Sequence, residues 1–488
     1  MLQKIRIVLG TIFFVCITAM FLDFTGTAHR WLSWMAKLQF LPAVLGLNIL
    51  AILIVLALTL LSGRIYCSVI CPAGVYQDLV SKIASKKKKN RFSFSKENRI
   101  LRFSVLGVFV VLLLVGLNGI AILIAPYSAY GRMVQNLLQP IYIGVNNLLA
   151  RAAEHYESYA FYEVDVWIRS LPVFIVAVVT FIAFTVLAWR GGRTWCNNVC
   201  PVGTVLGYVS KFSLFKIRID DSKCVNCKMC EKNCKSSCID IKTHTIDHSR
   251  CVSCMTCLTK CKKDAIHFSI ASKANTTADQ PDTTLRAMLT TGAVLAASSV
   301  AKAQEKQFDG GLAIIEDKKV PARDIPVKPA GSHSLRSFTN SCTGCQLCVA
   351  ACPNGVLRPS TNLSTFMQPE MGFERGYCRP ECTRCGEVCP AGAINPITRE
   401  QKTSIRAGHA VWIRQNCVPV TDSVACGNCA RHCPSGAIMM VPLEDNPGLK
   451  IPTIDTERCI GCGACEHLCP SRPLSAIYVE GNLVHGEM

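Results

Sequence analysis

Cys224-Val-Asn-Cys227-Lys-Met-Cys230-Glu-Lys-Asn-Cys234 puts four cysteines in eleven residues, and Cys251-Val-Ser-Cys254-Met-Thr-Cys257-Leu-Thr-Lys-Cys261 repeats the spacing. Cys-x2-Cys-x2-Cys-x3-Cys is the run with which bacterial ferredoxins hold 4Fe-4S clusters, the fourth cysteine of each run crossing to the other cluster. The pattern predicts one cluster on Cys224, Cys227, Cys230 and Cys261, and a second on Cys251, Cys254, Cys257 and Cys234. Structural zinc is the competing reading, but zinc sites use pairs of cysteines across a longer loop. Lys235 and Lys262 stand where a proline usually follows the run. They bring positive charge towards each cluster, which raises its potential.

Four further motifs lie downstream. Cys342, Cys345, Cys348 and Cys352 form the full run, followed by Pro353, and so do Cys459, Cys462, Cys465 and Cys469, followed by Pro470. Cys378, Cys382, Cys385 and Cys389 have one extra residue in the first gap; Cys417, Cys426, Cys429 and Cys433 have a longer insertion there. Six motifs use 24 of the 30 cysteines, enough for six 4Fe-4S clusters. The others are Cys16, Cys67, Cys71, Cys196, Cys200 and Cys238; Cys16 reads as packing, and Cys238 as a free thiol or an alternative ligand near the first pair.

Around these motifs the chain is 50% hydrophobic over 488 residues, with a net charge of +19 and a mean hydropathy of +0.30. Such apolar content excludes intrinsic disorder, and the length excludes a small secreted disulfide scaffold. Four apolar runs, roughly Ile7–Phe24, Leu41–Ser62, Phe103–Ala125 and Leu171–Trp189, are long enough to cross a bilayer, which needs ~20 residues per helix. The expected fold is thus an α-helical membrane domain of four transmembrane helices followed by α+β bacterial ferredoxin-like domains. The segment between the second and third runs is rich in lysine and arginine, from Arg64 through Lys86–Lys89 to Arg102. By the positive-inside rule it faces the cytoplasm, with the N-terminus on the same side. Between two membrane helices such a run is a topology signal facing anionic lipid, so no nucleic-acid partner is expected.

A duplication sits in the membrane half. Gly63-Arg64-Ile65-Tyr66-Cys67-x3-Cys71-Pro72-Ala73-Gly74 follows the second run, and Gly192-Arg193-Thr194-Trp195-Cys196-x3-Cys200-Pro201-Val202-Gly203 follows the fourth. Both copies end in Val-Ser-Lys, at Val80–Lys82 and Val209–Lys211. In helical tails the paired cysteines would share one side, with Pro72 and Pro201 starting or capping the turn. Cys67, Cys71, Cys196 and Cys200 are therefore candidates for an extra metal site, for two redox thiol pairs, or for buried packing; the exact repetition argues against packing.

Residues 1–270 resemble the membrane-bound ferredoxin-type quinol dehydrogenase of periplasmic nitrate reductase systems (NapH type). The shared features are the four expected membrane helices, the paired Cys-x3-Cys-Pro tails and the two inner-face ferredoxin motifs. Residues 335–480 look like its four-cluster ferredoxin partner (NapG type), including the altered gaps of the second and third motifs. The chain resembles a fusion of the two. The resemblance implies that the motifs pair first with fourth and second with third. Cys342, Cys345, Cys348 and Cys469 would then share a cluster, as would Cys459, Cys462, Cys465 and Cys352. Cys378, Cys382, Cys385 and Cys433 would form another, with Cys426, Cys429, Cys389 and Cys417 in the last. Sequential pairing is the alternative.

The expected domains are 1–215, the membrane domain with its duplicated tails; 216–270, a two-cluster ferredoxin; 271–334, a linker; and 335–488, a four-cluster ferredoxin. Within the linker, Ser269–Thr284 is polar, and Thr284-Leu285-Arg286-Ala287-Met288-Leu289 precedes the small, apolar Thr290–Ala303. This resembles a twin-arginine export signal with Leu285 in place of its first arginine. The expected location is the bacterial inner membrane, multi-pass, with 216–270 cytoplasmic. Residues 335–488 are either exported or, if the signal is only a linker, held inside.

The chain has no Cys-x-x-Cys-His haem site, no Gly-x-Gly-x-x-Gly fingerprint for flavin or nicotinamide cofactors, and no P-loop. Its expected role is electron transfer through six clusters between the quinone pool and an unidentified reductase or donor. The resemblance implies menaquinol as substrate, which would make the chain a quinol dehydrogenase component. Loss of protons from a quinol needs a base near the bilayer edge; Asp23, His29, Tyr127, Tyr130, Glu163 and Asp165 are the candidates. The alternative is an assembly factor of the oxidase-maturation type that reduces a metal at the repeated thiols.

Overall fold

The computed structural model describes residues 2–87, 92–157, 161–270 and 316–487. The export-signal-like segment Thr284–Ala303, and Lys88, Lys89 and Arg91 of the basic loop, lie outside the described residues. A helical body comes first: α1 Leu2–Leu22, α2 Thr27–Lys37, α3 Phe40–Leu45, α4 Ile49–Ser62, α5 Ile65–Val69, α6 Pro72–Lys87, α7 Arg99–Val115, α8 Asn118–Ala121, α9 Pro126–Met133, α10 Gln139–His155, α11 Leu171–Gly191, α12 Thr194–Asn198 and α13 Pro201–Ser210. A π-helical turn, Val134–Leu138, joins α9 to α10.

Among the described residues, two helices, α1 and α11, are long and apolar enough to cross a membrane. This corrects the expectation of four transmembrane helices. The second apolar run is broken: α3 stops at Gly46, Leu47 takes φ 51°, and Asn48 caps a fresh helix by accepting from the Ala51 amide at 3.2 Å. The 14 residues of α4 give only ~21 Å at ~1.5 Å per residue, against a hydrocarbon core of ~30 Å. The third run lies partly in α7, a 17-residue helix that ends where Gly116 takes φ 86°, and continues as α8 and a short 3-10 turn. Long apolar side chains nevertheless remain exposed along the body, among them Leu9, Ile12 and Val15 on α1 and Val179, Ile182 and Val186 on α11.

The duplication is visible as structure. α4, α5 and α6 form one copy; α11, α12 and α13 form the other. Gly63 (φ 71°) and Gly192 (φ 67°) end the long helices in a conformation that side chains resist, and so turn the chain into the tails. Pro72 and Pro201 open α6 and α13, where a missing N–H costs nothing.

Residues 215–270 form a small ferredoxin unit. β1 (Phe215–Ile219) pairs antiparallel with β4 (Ile266–Ile270), and β2 (Ile239–Asp240) with β3 (Thr245–Ile246). The unit docks where α1 begins: Thr259 donates to Gln3 Oε1 at 2.7 Å, and Ser253 Oγ donates to the Ser62 carbonyl at 2.8 Å.

The C-terminal unit contains β5 (Leu357–Pro359) with β6 (Pro369–Met371), β7 (Ile405–Trp412) with β10 (Ile477–Glu487), and β8 (Ile438–Leu443) with β9 (Asn446–Ile454). Residues from 316 onward already belong to it, which moves the expected linker boundary. Lys318 Nζ donates to the carbonyls of Glu466, His467 and Cys469 at 2.6, 2.8 and 3.0 Å, and the Arg323 guanidinium grips both oxygens of Glu466.

This unit docks at the far end of α1. Ser128 Oγ donates to the Thr343 carbonyl at 2.6 Å, Asn118 Nδ2 to the Thr339 carbonyl at 2.8 Å, and Arg169 Nη1 to the Val349 carbonyl at 2.9 Å. The 21 residues of α1 separate the two ferredoxin units by ~31 Å of helix.

Candidate iron–sulfur centres

The runs with the full spacing share one loop conformation. The residues flanking the second cysteine are left-handed in all four: Asn226 and Lys228, Ser253 and Met255, Gly344 and Gln346, Gly461 and Gly463. Five of these eight carry a side chain, a backbone state that persists only where surroundings enforce it. A short helix then presents the third cysteine. The two motifs with altered first gaps have no such pair at the equivalent positions.

Cys224, Cys227, Cys230 and Cys261 line one cavity of about 320 Å³. Cys257 sits among Cys254, Cys251 and Cys234. In this unit Cys261 thus lies with the first set of thiols and Cys234 with the second. Cys238 is buried, its Sγ 3.6 Å from Cys234 Sγ, so it packs directly against the second set. Lys235 carries less free charge than its position suggested, because its Nζ lies 3.4 Å from Asp78.

In the C-terminal unit the gathering differs from the first-with-fourth pairing. Cys389 joins Cys342, Cys345 and Cys348 around one space of about 20 Å³. Cys352 joins Cys378, Cys382 and Cys385 around another of about 30 Å³. Cys469 neighbours Cys417, Cys426 and Cys429, and Cys433 neighbours Cys459 and Cys462. Each fourth cysteine thus crosses to the motif adjacent in sequence. The cause is local: the helices Leu347–Ala351 and Arg384–Val388 pack on each other, as do Asn428–Arg431 and Ala464–Leu468. Backbone amides point at the sulfurs, Gly344 at Cys342, Ala265 at Cys261 and Ala476 at Cys469, at 3.3–3.4 Å. Thiolate-rich pockets ringed by N–H donors suit iron–sulfur clusters.

The repeated tails bring Cys67, Cys71, Cys196 and Cys200 together inside the body, each no more than 4% exposed. Arg64 and Arg193, fully buried, accompany them. Both arginines stand in the quoted repeat, and their identical offset before the cysteines was the signal of their role. Asp78 lies beneath, with Arg6, Arg193 and Lys235 around it. Burial works against its charge, but these cations hold its carboxyl well below the usual range.

The proposed quinol residues separate. Asp23 caps α2, accepting from the amides of Gly26 and Ala28 at 2.8 Å and facing His29 at 3.1 Å. Tyr130 shares a hydrogen bond with Thr18, and Glu163 pairs with Arg151 in the open. Tyr127 is buried beside Cys345 and Cys389, its hydroxyl without a partner. Asp165 lines a cavity of about 410 Å³ shared with Gln135, Gln139, Trp167, Arg169 and Gln346. Sequence reasoning missed the three glutamines, which no motif marks.

Folded, the chain is a multi-centre iron–sulfur protein of ferredoxin type. A 4Fe-4S dicluster family matches residues 341–393 and 424–472, a second dicluster family matches 247–356, and a 4Fe-4S binding domain family matches 44–91 and 171–220. The methylamine utilization ferredoxin-type protein MauM of Methylophilus methylotrophus is 30% identical over 161 residues, covering 31% of this chain and 69% of that protein. The chain belongs, over that stretch, to the ferredoxin-type family of MauM. The putative electron transport protein YccM of Escherichia coli is 28% identical over 200 residues, 40% of this chain and 48% of YccM. The ferredoxin-type protein NapG of Haemophilus influenzae is 27% identical over 164 residues, 31% of this chain and 57% of NapG. The chain thus spans about half the length of these last two relatives. These matches support iron–sulfur electron transfer and a relationship to the Nap ferredoxins at low identity.

Proposed function

We propose that this chain conducts electrons across a membrane, linking the quinone pool to a reductase through six 4Fe-4S clusters held by the six four-cysteine motifs. The observation that carries the reading is the docking of the two ferredoxin units at opposite ends of α1. With α1 and α11 in the bilayer, residues 216–270 face the cytoplasm and the C-terminal unit faces the other side. Bound clusters would supply one-electron relay sites; the chain's own part is to hold them in file. The test is sidedness. Reporters fused after Met488 should be active when they require export and silent when they require the cytoplasm. The reverse result would sink the reading.

The quinol headgroup belongs, on this reading, in the cavity beside Gln346, which lies between Cys345 and Cys348. Gln135 Oε1 and Gln346 Nε2 are buried there without partners, an acceptor and a donor for the two ends of a quinol. Asp165 is the nearby proton acceptor, and the π-helical turn beside it is a feature common at functional sites. Gln135→Leu should raise the KM for a menaquinol analogue about tenfold, the cost of ~1–1.5 kcal/mol for one hydrogen bond. Cluster spectra should be unchanged. An unaltered KM would move the site elsewhere. The metal-reductase alternative fares worse, because the repeated thiols it needs are closed to solvent.

A further inference from the structure

We propose that the ferredoxin unit of residues 215–270 docks a small acidic protein that carries one electron at a time, and that a ring of lysines around its first cysteine set receives it. The cavity formed by Cys224, Cys227, Cys230 and Cys261 measures about 320 Å³, and its lining comes wholly from residues 219–266 of this unit. Lys223, Lys228, Lys260, Lys262 and Lys263 line it, all of them exposed, and no aspartate or glutamate does. Of the 30 cysteines, Cys227 alone is exposed.

The second set of this unit serves the helical body instead. Val252 and Cys254 pack into the hydrophobic core that runs through the helices. Ser253 Oγ donates to the Ser62 carbonyl at 2.8 Å, and Arg64 Nη1 donates to the Ser249 carbonyl at 3.1 Å, two residues before Cys251. The second set therefore continues into the rest of the chain, and the first is the one left open to a partner from outside.

Charge selects the partner. Beside the second set the cations are already matched: Lys235 Nζ lies 3.4 Å from Asp78, and Arg250 Nε 2.6 Å from Asp247. Around the first, Asp220 stands 3.8 Å from Lys223 Nζ, but among the described residues no ion pair involves Lys228, Lys260, Lys262 or Lys263. The acidic neighbours are engaged elsewhere, Asp220 with the Ser222 hydroxyl and Asp221 with His244. Like charges around one concave face focus the field there and speed the arrival of an oppositely charged partner by ~10–10³-fold. Inside the ring Val225 is 60% exposed. An apolar centre within a charged rim is the anatomy of a protein interface. Anionic lipid also attracts lysines, but it exchanges no electron, and these lysines encircle the one exposed cysteine.

The exchange is one electron for one: the carrier is oxidised as the centre on the first set is reduced, or the reverse, and no bond or proton moves. When bound, a 4Fe-4S cluster supplies that centre. The chain's own lysines hold the carrier's acidic face over Cys227. The docking stands whatever the side of the C-terminal unit or the place of the quinol.

The test uses the full chain, purified without oxygen, with flavodoxin as an acidic one-electron carrier. Stopped-flow absorbance gives the second-order rate of electron exchange. The native rate should fall about tenfold between about 50 and 300 mM salt, because salt screens the ring. Lys228→Glu/Lys262→Glu should lower the low-salt rate about tenfold, with iron content and electron paramagnetic resonance signals unchanged. Lys450→Glu, on β9 of the C-terminal unit, is the control and should leave the rate as it was. Flavodoxin with amidated carboxylates should lose the same factor against the native chain, which decides the matter even if the double variant fails to load its clusters. A rate indifferent to salt, to the double substitution or to the amidation overturns the proposal. So does a double variant that keeps the native rate and loses only its protease protection in nanodiscs containing phosphatidylglycerol, which would assign the lysines to lipid.

Discussion

Asp78→Ala should lower the stability of the helical body by about 3–5 kcal/mol, the cost of leaving buried cations without their partner. The carboxylate holds together three separate parts of the chain: Arg6 from α1, Arg193 from the second tail at 2.9 Å, and Lys235 from the first ferredoxin motif at 3.4 Å. Its side chain is 9% exposed and that of Arg193 not at all, so water cannot substitute. Removing it strands like charges against one another and loosens the contact between body and ferredoxin unit. The measurement is chemical denaturation in detergent, with protease sensitivity near Lys235 as the local readout. Glu163→Ala is the control. Its pair with Arg151 lies 55% and 75% exposed, and such surface pairs are worth about 0–1 kcal/mol. Equal effects for the two variants would mean that Asp78 is not the junction described.

The cysteine runs were legible because their chemistry is local. A run of four cysteines in eleven residues fixes a chelating loop whatever surrounds it, and the left-handed pairs at Asn226/Lys228 and Gln346 with Gly344 are the same loop reused. The duplication was legible for the same reason. Helix length was not, because hydropathy reports burial in apolar surroundings and not continuity. Leu41–Ser62 is apolar throughout, yet Gly46, Leu47 and Asn48 break it. Arg64, Arg193 and Asp78 were in view but unweighted, since their meaning arises only when the two copies face each other. Of the glutamines around the 410 Å³ cavity, Gln135 and Gln139 stand on one continuous helical stretch and Gln346 comes from a distant segment, and no spacing rule links them. The pairing of the C-terminal motifs was left with two alternatives because spacing cannot say which short helices pack together.

That pairing has a direct test. Cys345→Ala and Cys389→Ala should each remove one cluster, about four irons, and the double variant should also lose only about four. The reason is that Cys389 closes the set begun by Cys342, Cys345 and Cys348, so the second substitution strikes a cluster already gone. If the motifs paired first with fourth and second with third, Cys345 and Cys389 would serve different clusters, and the double variant would lose about eight irons. The pair Cys352→Ala and Cys382→Ala gives an independent check, since both line one space. Because Cys345 and Cys389 both lie beside the buried Tyr127 hydroxyl, their cluster is the one nearest the helical body. Its loss should therefore interrupt reduction of the remaining C-terminal clusters by a menaquinol analogue. Loss of a cluster on Cys459, Cys462, Cys465 and Cys433, further out in the unit, should leave that first reduction intact. Finding the opposite order would reverse the proposed entry point for electrons.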